Sequence, residues 1–410
     1  MTKAQRISHM PAGRMRAGPR PADPAASWPA GDPAAAAFTP AEMRRRREAL
    51  AGVLARRETG HALVYGADRA GSAIAWLTGW PVTREAALLL SRGEPDVMFV
   101  CFDNHVPNAR RVVPGADIRP GGRSALAAAL DLLADRAGRP PRLAIIGPVP
   151  ARAGGRLAAA AGEVVFLDTE YARLRLVKSA EEIAWLRAGA RMTDEAVAAL
   201  AAAARPGLSE AECCAALESA YIPAGGLTHI HYLAATAMDR PSICVPAQWP
   251  SGRPLSAGDA LTCEVSASYG GYPGQLLRTF AVDGEPTPRY RDLHEVAESA
   301  FDAITARLRP GARASDLLGA AGVITSAGYT VYDDLVHGFG GGYLPPVLSR
   351  SSLESGQAED FTFAAGMTVV IQPNVVTRDE RAGVQTGELV LVKDTGWESL
   401  HRFQRGFARL

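Results

Sequence analysis

Apolar positions recur along this chain in two successive rhythms. From Thr39 a charged helix is predicted over TPAEMRRRREALAGVLARRE, followed by short apolar runs that read as strands: HALVYG, AIAWLTGW, AALLLS and PDVMFVCF. SALAAALDLLADRAG then predicts a helix, RLAIIG a strand, and EVVFLD a further strand after one more helix. Strands and helices interleave, so residues 39–172 are expected to form an α/β domain around a mostly buried sheet.

The rhythm changes near Arg173. LRLVKSAEEIAWLRAGARMTDEAVAALAAAA predicts a long helix whose Ser179 and Glu182 fit a capping box, each able to satisfy the other's exposed amide. Beyond it, DALTCEVSASY, YPGQLLRTFAVD, MTVVIQPNVV and GELVLV alternate with turn residues as antiparallel strands do. Side chains alternate across such a sheet, so polar residues on one face of neighbouring strands can converge on a single site. Residues 173–410 are expected to be this second domain. RPGLSEAECCAAL at 205–217 and RPGARASDLLGAA at 309–321 echo one another, as chance or a repeated half-domain would produce. Residues 1–38 are rich in Pro, Ala, Gly and Arg and too poor in branched apolar residues to offset the entropy of ordering, which predicts a flexible tail. The same compositional bias runs through the whole chain, which argues against a transit peptide.

Composition narrows the function classes. The chain has 410 residues, 47% hydrophobic and 21% charged, with a net charge of +1, so it carries no general field for nucleic acid or anionic lipid and must recognise partners locally. Apolar runs such as AALLL fall far short of a membrane span, and no secretory stretch precedes the first domain. Five cysteines without a CxxC pattern read as reduced thiols, and a cytoplasmic location is expected.

Four segments in sequence carry a resemblance: GDALTCEVSASYGGYPGQLLRTF, VHGFGGGYLPP, GMTVVIQPNVV and GVQTGELVLVKDTGWESL. Their order and spacing resemble the creatinase/aminopeptidase P/methionine aminopeptidase superfamily. LRLVKSAEEIAWLRAGARMTDEA resembles the start of its catalytic-type domain, and YGADRAGSAIAWLTGW the N-terminal domain of the creatinase and aminopeptidase P branch. The resemblance implies a creatinase-like N-terminal α/β domain followed by a C-terminal pita-bread α+β domain.

The resemblance also implies a ligand set, two aspartates, one histidine and two glutamates around two metal ions. Here those positions fall on Glu264, Gln275, His337, Gln372 and Gly387. Two divalent ions a few ångströms apart need several carboxylates to offset their repulsion, and a single catalytic zinc normally takes three protein ligands. One glutamate and one histidine do not supply either, so no metal and no other cofactor is expected. Glu388, beside the glycine, points to the opposite face of a regular strand unless a bulge turns it. Creatinase is the metal-free precedent, but its histidine position falls on Ala247 or Gln248, and its two glutamates on Leu277 and Gln372.

What remains can still do chemistry. His337 and Glu264 are the candidate catalytic pair, the carboxylate orienting an imidazole that exchanges protons near neutral pH. Gln275 and Gln372 are candidate substrate binders through their paired donor and acceptor ends. The alternative is a satisfied structural network left where a metal site has been lost. His229 and His231, at alternate positions of one strand, are expected to face the same side, one of them supplying the acid or base absent at Ala247. Tyr343 and Tyr272 are candidate pocket walls, and Arg278 is read as ordering its strand. HGFGGGYLPP lacks the strand, spacing and helix of a dinucleotide loop. In creatinase an arginine near the position of Arg84 reaches the partner subunit's site, which implies a homodimer and an acidic group on the substrate. The leading expectation is a metal-independent hydrolase or lyase acting on a C–N bond of a small amino-acid-like, amide or amidino substrate. A catalytically inactive binding protein is the alternative, and an Xaa-Pro metallopeptidase with atypical ligands the third reading.

Overall fold

The computed structural model describes residues 37–410. Its first part contains α1 (Pro40–Arg56), β1 (His61–Ala67), α2 (Ala73–Thr78), β2 (Glu85–Ser91), β3 (Val97–Val100), α3 (Val106–Val112), β4 (Asp117–Pro120), α4 (Ala125–Ala137), β5 (Arg142–Ile146), α5 (Gly154–Ala160), β6 (Glu163–Phe166) and α6 (Asp168–Leu174). The strands form one mixed sheet in the order β4-β3-β2-β1-β5-β6. Alternation along β1 sends Ala62 and Val64 into one core and Leu63 and Tyr65 into another, so both faces are covered. AIAWLTGW, expected as a strand, is α2 closed by the left-handed Gly79. Five of its six helical residues are buried, so no polar face advertised a helix. The tail expected over 1–38 lies outside the described residues except for its last two, of which Phe38 stacks on Trp185.

Arg173 lies within α6, and the chain passes to the second sheet's helices just after it. There follow α7 (Ala180–Ala203), α8 (Glu210–Tyr221), β7 (Leu227–Ala237), β8 (Asp259–Tyr269), β9 (Tyr272–Pro273), β10 (Leu276–Val282), α9 (Pro288–Thr305), α10 (Ala314–Ala320) and α11 (Val323–Ser326). Then come β11 (Val336–Phe339), β12 (Tyr343–Leu348), α12 (Arg350–Ser355), β13 (Thr368–Ile371), β14 (Asn374–Val376), β15 (Gly383–Gln385), β16 (Gly387–Val392), β17 (Trp397–Ser399) and β18 (Ala408–Arg409). The main sheet runs β12-β11-β13-β16-β10-β8-β7. One half packs Cys263, Val265 and Leu276 against α7 and α8, and the other packs Val336, Val369 and Val390 against α9 and α10. This is the pita-bread arrangement that the motif order implied.

The sequence echo has a structural counterpart. Gly207 N–H donates to Leu255 O and Leu255 N–H to Leu208 O, while Gly311 N–H donates to Phe363 O and Phe363 N–H to Ala312 O. Cap amides at Ser209 and Arg313 are accepted by Glu212 and Asp316, both at 2.8 Å. Each half therefore starts a helix from the same Pro-Gly turn tied to a returning extended segment, as a repeated half-domain requires.

The two sheets are joined through a buried polar cluster. Arg46 of α1 donates to Glu42 Oε1 at 2.7 Å, Trp76 O at 2.9 Å and Tyr272 Oη at 3.1 Å, with Phe38 over its guanidinium. Glu182 of α7 accepts from Tyr272 Oη at 2.8 Å and Trp76 Nε1 at 3.2 Å, and closes the expected capping box through Ser179 N. Helix α7 comes close to the sheet because a Cβ on Gly189 would lie 2.3 Å from Tyr272 O, and one on Gly274 2.4 Å from Ala190 Cα. That contact fixes the backbone immediately before Gln275.

Candidate functional site

Residues opposite one another on paired strands share a face of the sheet. Glu264 of β8 lies opposite Tyr232 of β7 and Leu277 of β10, and Gln275 falls on the same face, two residues before Leu277. On the neighbouring strands His337 lies opposite Val370, and Gln372 follows Val370 by two. Strand period and pairing thus bring together four of the expected residues. Gln275 Nε2 donates to Glu264 Oε1 at 2.7 Å and to Gln372 Oε1 at 3.1 Å, and His337 Nε2 lies 3.2 Å from the same Gln372 oxygen. Gln275 Oε1 and Gln372 Nε2 are buried without a hydrogen-bond partner.

Glu264 does not touch His337: two glutamines stand between them. The expected carboxylate–imidazole contact is thus replaced by a chain of amides. The ring of His337 is fully buried, its Nδ1 lies 3.2 Å from Gly338 O, and Tyr343 stacks on it with ring centroids 3.8 Å apart. Desolvation drives its pKa down to about 4, against small opposing effects from Gly338 and Gln372. Desolvation, reinforced by the charges of Asp333 and Asp334, pushes the Glu264 carboxyl up to about 8. Both groups are therefore mainly neutral at pH 7.

His229 and His231 do not share a side. The β7–β8 register shifts between Thr228 and Ile230, so His229 is the bulged residue. His231, opposite Val265, faces the helices and bonds Tyr221 Oη through Nε2 at 2.6 Å. His229 instead lies 6.0 Å, ring to ring, from Phe339, which in turn neighbours the His337 ring. Arg84 immediately precedes β2, its guanidinium over Phe102, and among the described residues no contact joins it to the buried chamber of Glu264, Gln275, Gln372 and His337. Tyr272 belongs to the joint between the sheets rather than to the chamber wall. Arg278 bonds Gly387 O, Phe403 O and Gln404 O and pairs with Glu388 at 2.8 Å, so it ties the C-terminal segment to the sheet.

Four chamber residues escaped the sequence reading. Asp333 and Asp334 precede β11, and Tyr343 lies close enough to Asp334 to favour its carboxylate. Burial and the neighbouring Asp333 raise Asp334 to about 6. The fully buried Asn374 holds this turn, its Oδ1 accepting from Tyr332 N and Asp333 N at 2.7 and 3.0 Å. Tyr232 faces Glu264 across the β7–β8 pair. Two acids together in VYDDLVHGFG, just ahead of the histidine, were the available signal.

The donor set does not fit a metal pair. Glu388 is turned away and neutralised by Arg278. A Cβ on Gly387 would lie 2.5 Å from Ile371 O and 2.7 Å from Gln372 Cα, so the strands have closed over the position where the resemblance places a glutamate. Among the described residues no group of three or more His, Cys, Asp or Glu side chains could hold a metal ion. Clefts of about 470 and 440 Å³ lie on the first sheet's side, one beside Arg123 and Arg152 and the other beside Ser72 and Tyr171. The shifted acids and unpartnered amides lie instead around Glu264, and we place the candidate site there.

Residues 184–394 match the family model described as Metallopeptidase family M24. Among curated relatives, the probable dipeptidase PepE of Mycobacterium tuberculosis is 28% identical over 270 residues, covering 64% of this chain and 69% of that protein. The Xaa-Pro dipeptidase of Pyrococcus furiosus is 24% identical over 240 residues, covering 58% of this chain and 67% of the relative. Two solved structures share the fold, dipeptidase PepE from Mycobacterium ulcerans and the prolidase from Pyrococcus horikoshii OT3. Both have a TM-score of 0.74, at 22% and 18% identity, covering 91% and 88% of this chain and 99% of each of theirs.

Proposed function

The chain belongs to metallopeptidase family M24, and on that premise we propose that it hydrolyses the C–N bond of a small amide or dipeptide-like substrate by proton transfer at Glu264, without a resident pair of metal ions. The observation that carries this reading is the amide chain linking Glu264 to His337, built where the metal ligands of the family were expected.

A carboxyl group with a pKa near neutrality can both take and give a proton at working pH. In the proposed reaction ionised Glu264 removes a proton from water as the oxygen adds to the substrate carbonyl, then gives that proton to the nitrogen as the C–N bond breaks. The products are a carboxylic acid and an amine.

The test is hydrolysis of small amides, ureas, guanidino acids and Xaa-Pro dipeptides by protein purified with a chelator. Turnover that persists with chelator and falls about a hundredfold or more in Glu264→Gln is expected. Turnover that vanishes with chelator and returns with manganese, cobalt or zinc overturns the metal-free mechanism in favour of a metallopeptidase with atypical ligands. A second reading, a binding protein without turnover, is favoured by one observation: both nitrogens of His337 are engaged and its ring is sealed under Tyr343. It predicts ligand binding that survives His337→Ala, with no cleavage.

A further inference from the structure

Glu264, Asp333 and Asp334 make up an acidic surround with no counter-charge among the described residues. Each carboxyl is raised by burial, and the two aspartates act on Glu264 through their charges. Among the described residues no lysine, arginine or histidine lies within ion-pair distance of any of the three. The aspartate turn is nevertheless built rather than loose. Asn374, with no exposed surface, holds its backbone, and Asp334 N donates to Asp333 Oδ1 at 2.8 Å.

A second observation points to what is missing. Gln275 is fully buried with its amide against Glu264, and its Oε1 has no donor. One more acceptor in a group of acids asks for N–H bonds, and a buried acceptor left unmet costs about 1–3 kcal/mol. Gln372 Nε2 is the complementary orphan, a donor without an acceptor. The three acids do not converge closely enough for one metal ion. An organic cation whose N–H groups are spread over several ångströms can reach them separately.

We propose that Asp333, Asp334 and Gln275 Oε1 form a subsite for a cationic side arm, an alkyl-guanidinium or alkyl-ammonium group, beside the catalytic Glu264, while Gln372 Nε2 donates to a carbonyl oxygen of the same ligand. The subsite rests on reading the chamber as a substrate site and adds the class of substrate: a small amide or dipeptide-like molecule with a basic side chain. Charge attraction brings it in, and the two amide orphans set its direction.

The test compares N-acetylargininamide with its neutral urea isostere, N-acetylcitrullinamide, by calorimetric titration of the full-length protein. The arginine probe is expected to bind about tenfold tighter or more, as hydrogen bonds to charged groups allow. In the Asp333→Asn, Asp334→Asn double variant that preference is expected to shrink to about twofold or less, with citrullinamide affinity unchanged. Retained citrullinamide binding shows that the variant keeps its chamber. No preference in the wild-type protein, a preference that survives both substitutions, or no binding of either probe at millimolar concentration overturns the subsite. So does manganese or zinc alone binding to the wild type and being lost in the double variant, because the acids then serve a metal. The subsite and the hydrolase reading fail separately. A charge preference without cleavage of any amide keeps the subsite and removes hydrolysis, whereas cleavage of neutral amides without a preference does the reverse.

Discussion

Two buried polar clusters in this molecule are built from similar parts and finished differently. At the joint between the sheets, Arg46 lies between Glu42 and Glu182, and Trp76, Tyr272 and Ser179 meet the remaining donors and acceptors. In the chamber, three acids have no cation among the described residues, and two glutamines each leave one amide atom without a partner. Burial alone does not distinguish structure from site; satisfaction does. Groups that are matched inside the chain hold it together, and groups left unmatched at a comparable depth are poised to meet something else.

The largest effect that sharpens this contrast is expected at the joint. Arg46→Leu removes the buried cation between Glu42 and Glu182 and leaves them only the part-exposed Arg45, a loss of about 3–5 kcal/mol, and the melting temperature should fall on the order of ten degrees. In the chamber, Glu264→Gln should remove turnover yet leave the melting temperature at neutral pH equal or higher. If it unfolds the protein as Arg46→Leu does, the contrast collapses.

Gly387→Ala tests the closed strand. A methyl group there must displace Ile371 or Gln372, at about 1–3 kcal/mol by thermal melting. The last test is a pH slope. Glu264 titrates near 8 in the folded chain against an ordinary 4.5, so the unfolded chain releases the proton first as pH rises. The wild-type protein should therefore match Glu264→Gln below pH 4.5, then lose ground progressively up to about pH 8 in a series of melts. A difference that grows toward acid instead would mean that Glu264 is stabilised as a carboxylate.

Much of this contrast was legible before any coordinates. DALTCEVSASY and GELVLV coincide with β8 and β16, and the Ser179–Glu182 box closes, because both depend on local spacing, which sequence records directly. That Glu264, Gln275, His337 and Gln372 come together was implied by the family resemblance alone, through the positions of its ligand set. Non-local features were hidden. The bulge at His229 reverses a side chain through its pairing with β8, and no residue type within LTHIHYL marks it. The indirect contact between Glu264 and His337 depends on how far apart β8 and β11 stand, with β10, β16 and β13 between them. Asp333 and Asp334 were readable as residues but not as neighbours of Glu264, because they come from a turn that Asn374 folds over the sheet.

Gly387 carries one more implication. With Ile371 and Gln372 already occupying the volume a side chain would need, placing an acid at this position takes more than one substitution, because the strand must also move aside. Volume as well as chemistry thus guards the position, and single changes can vary the side chains around it far more readily than fill it.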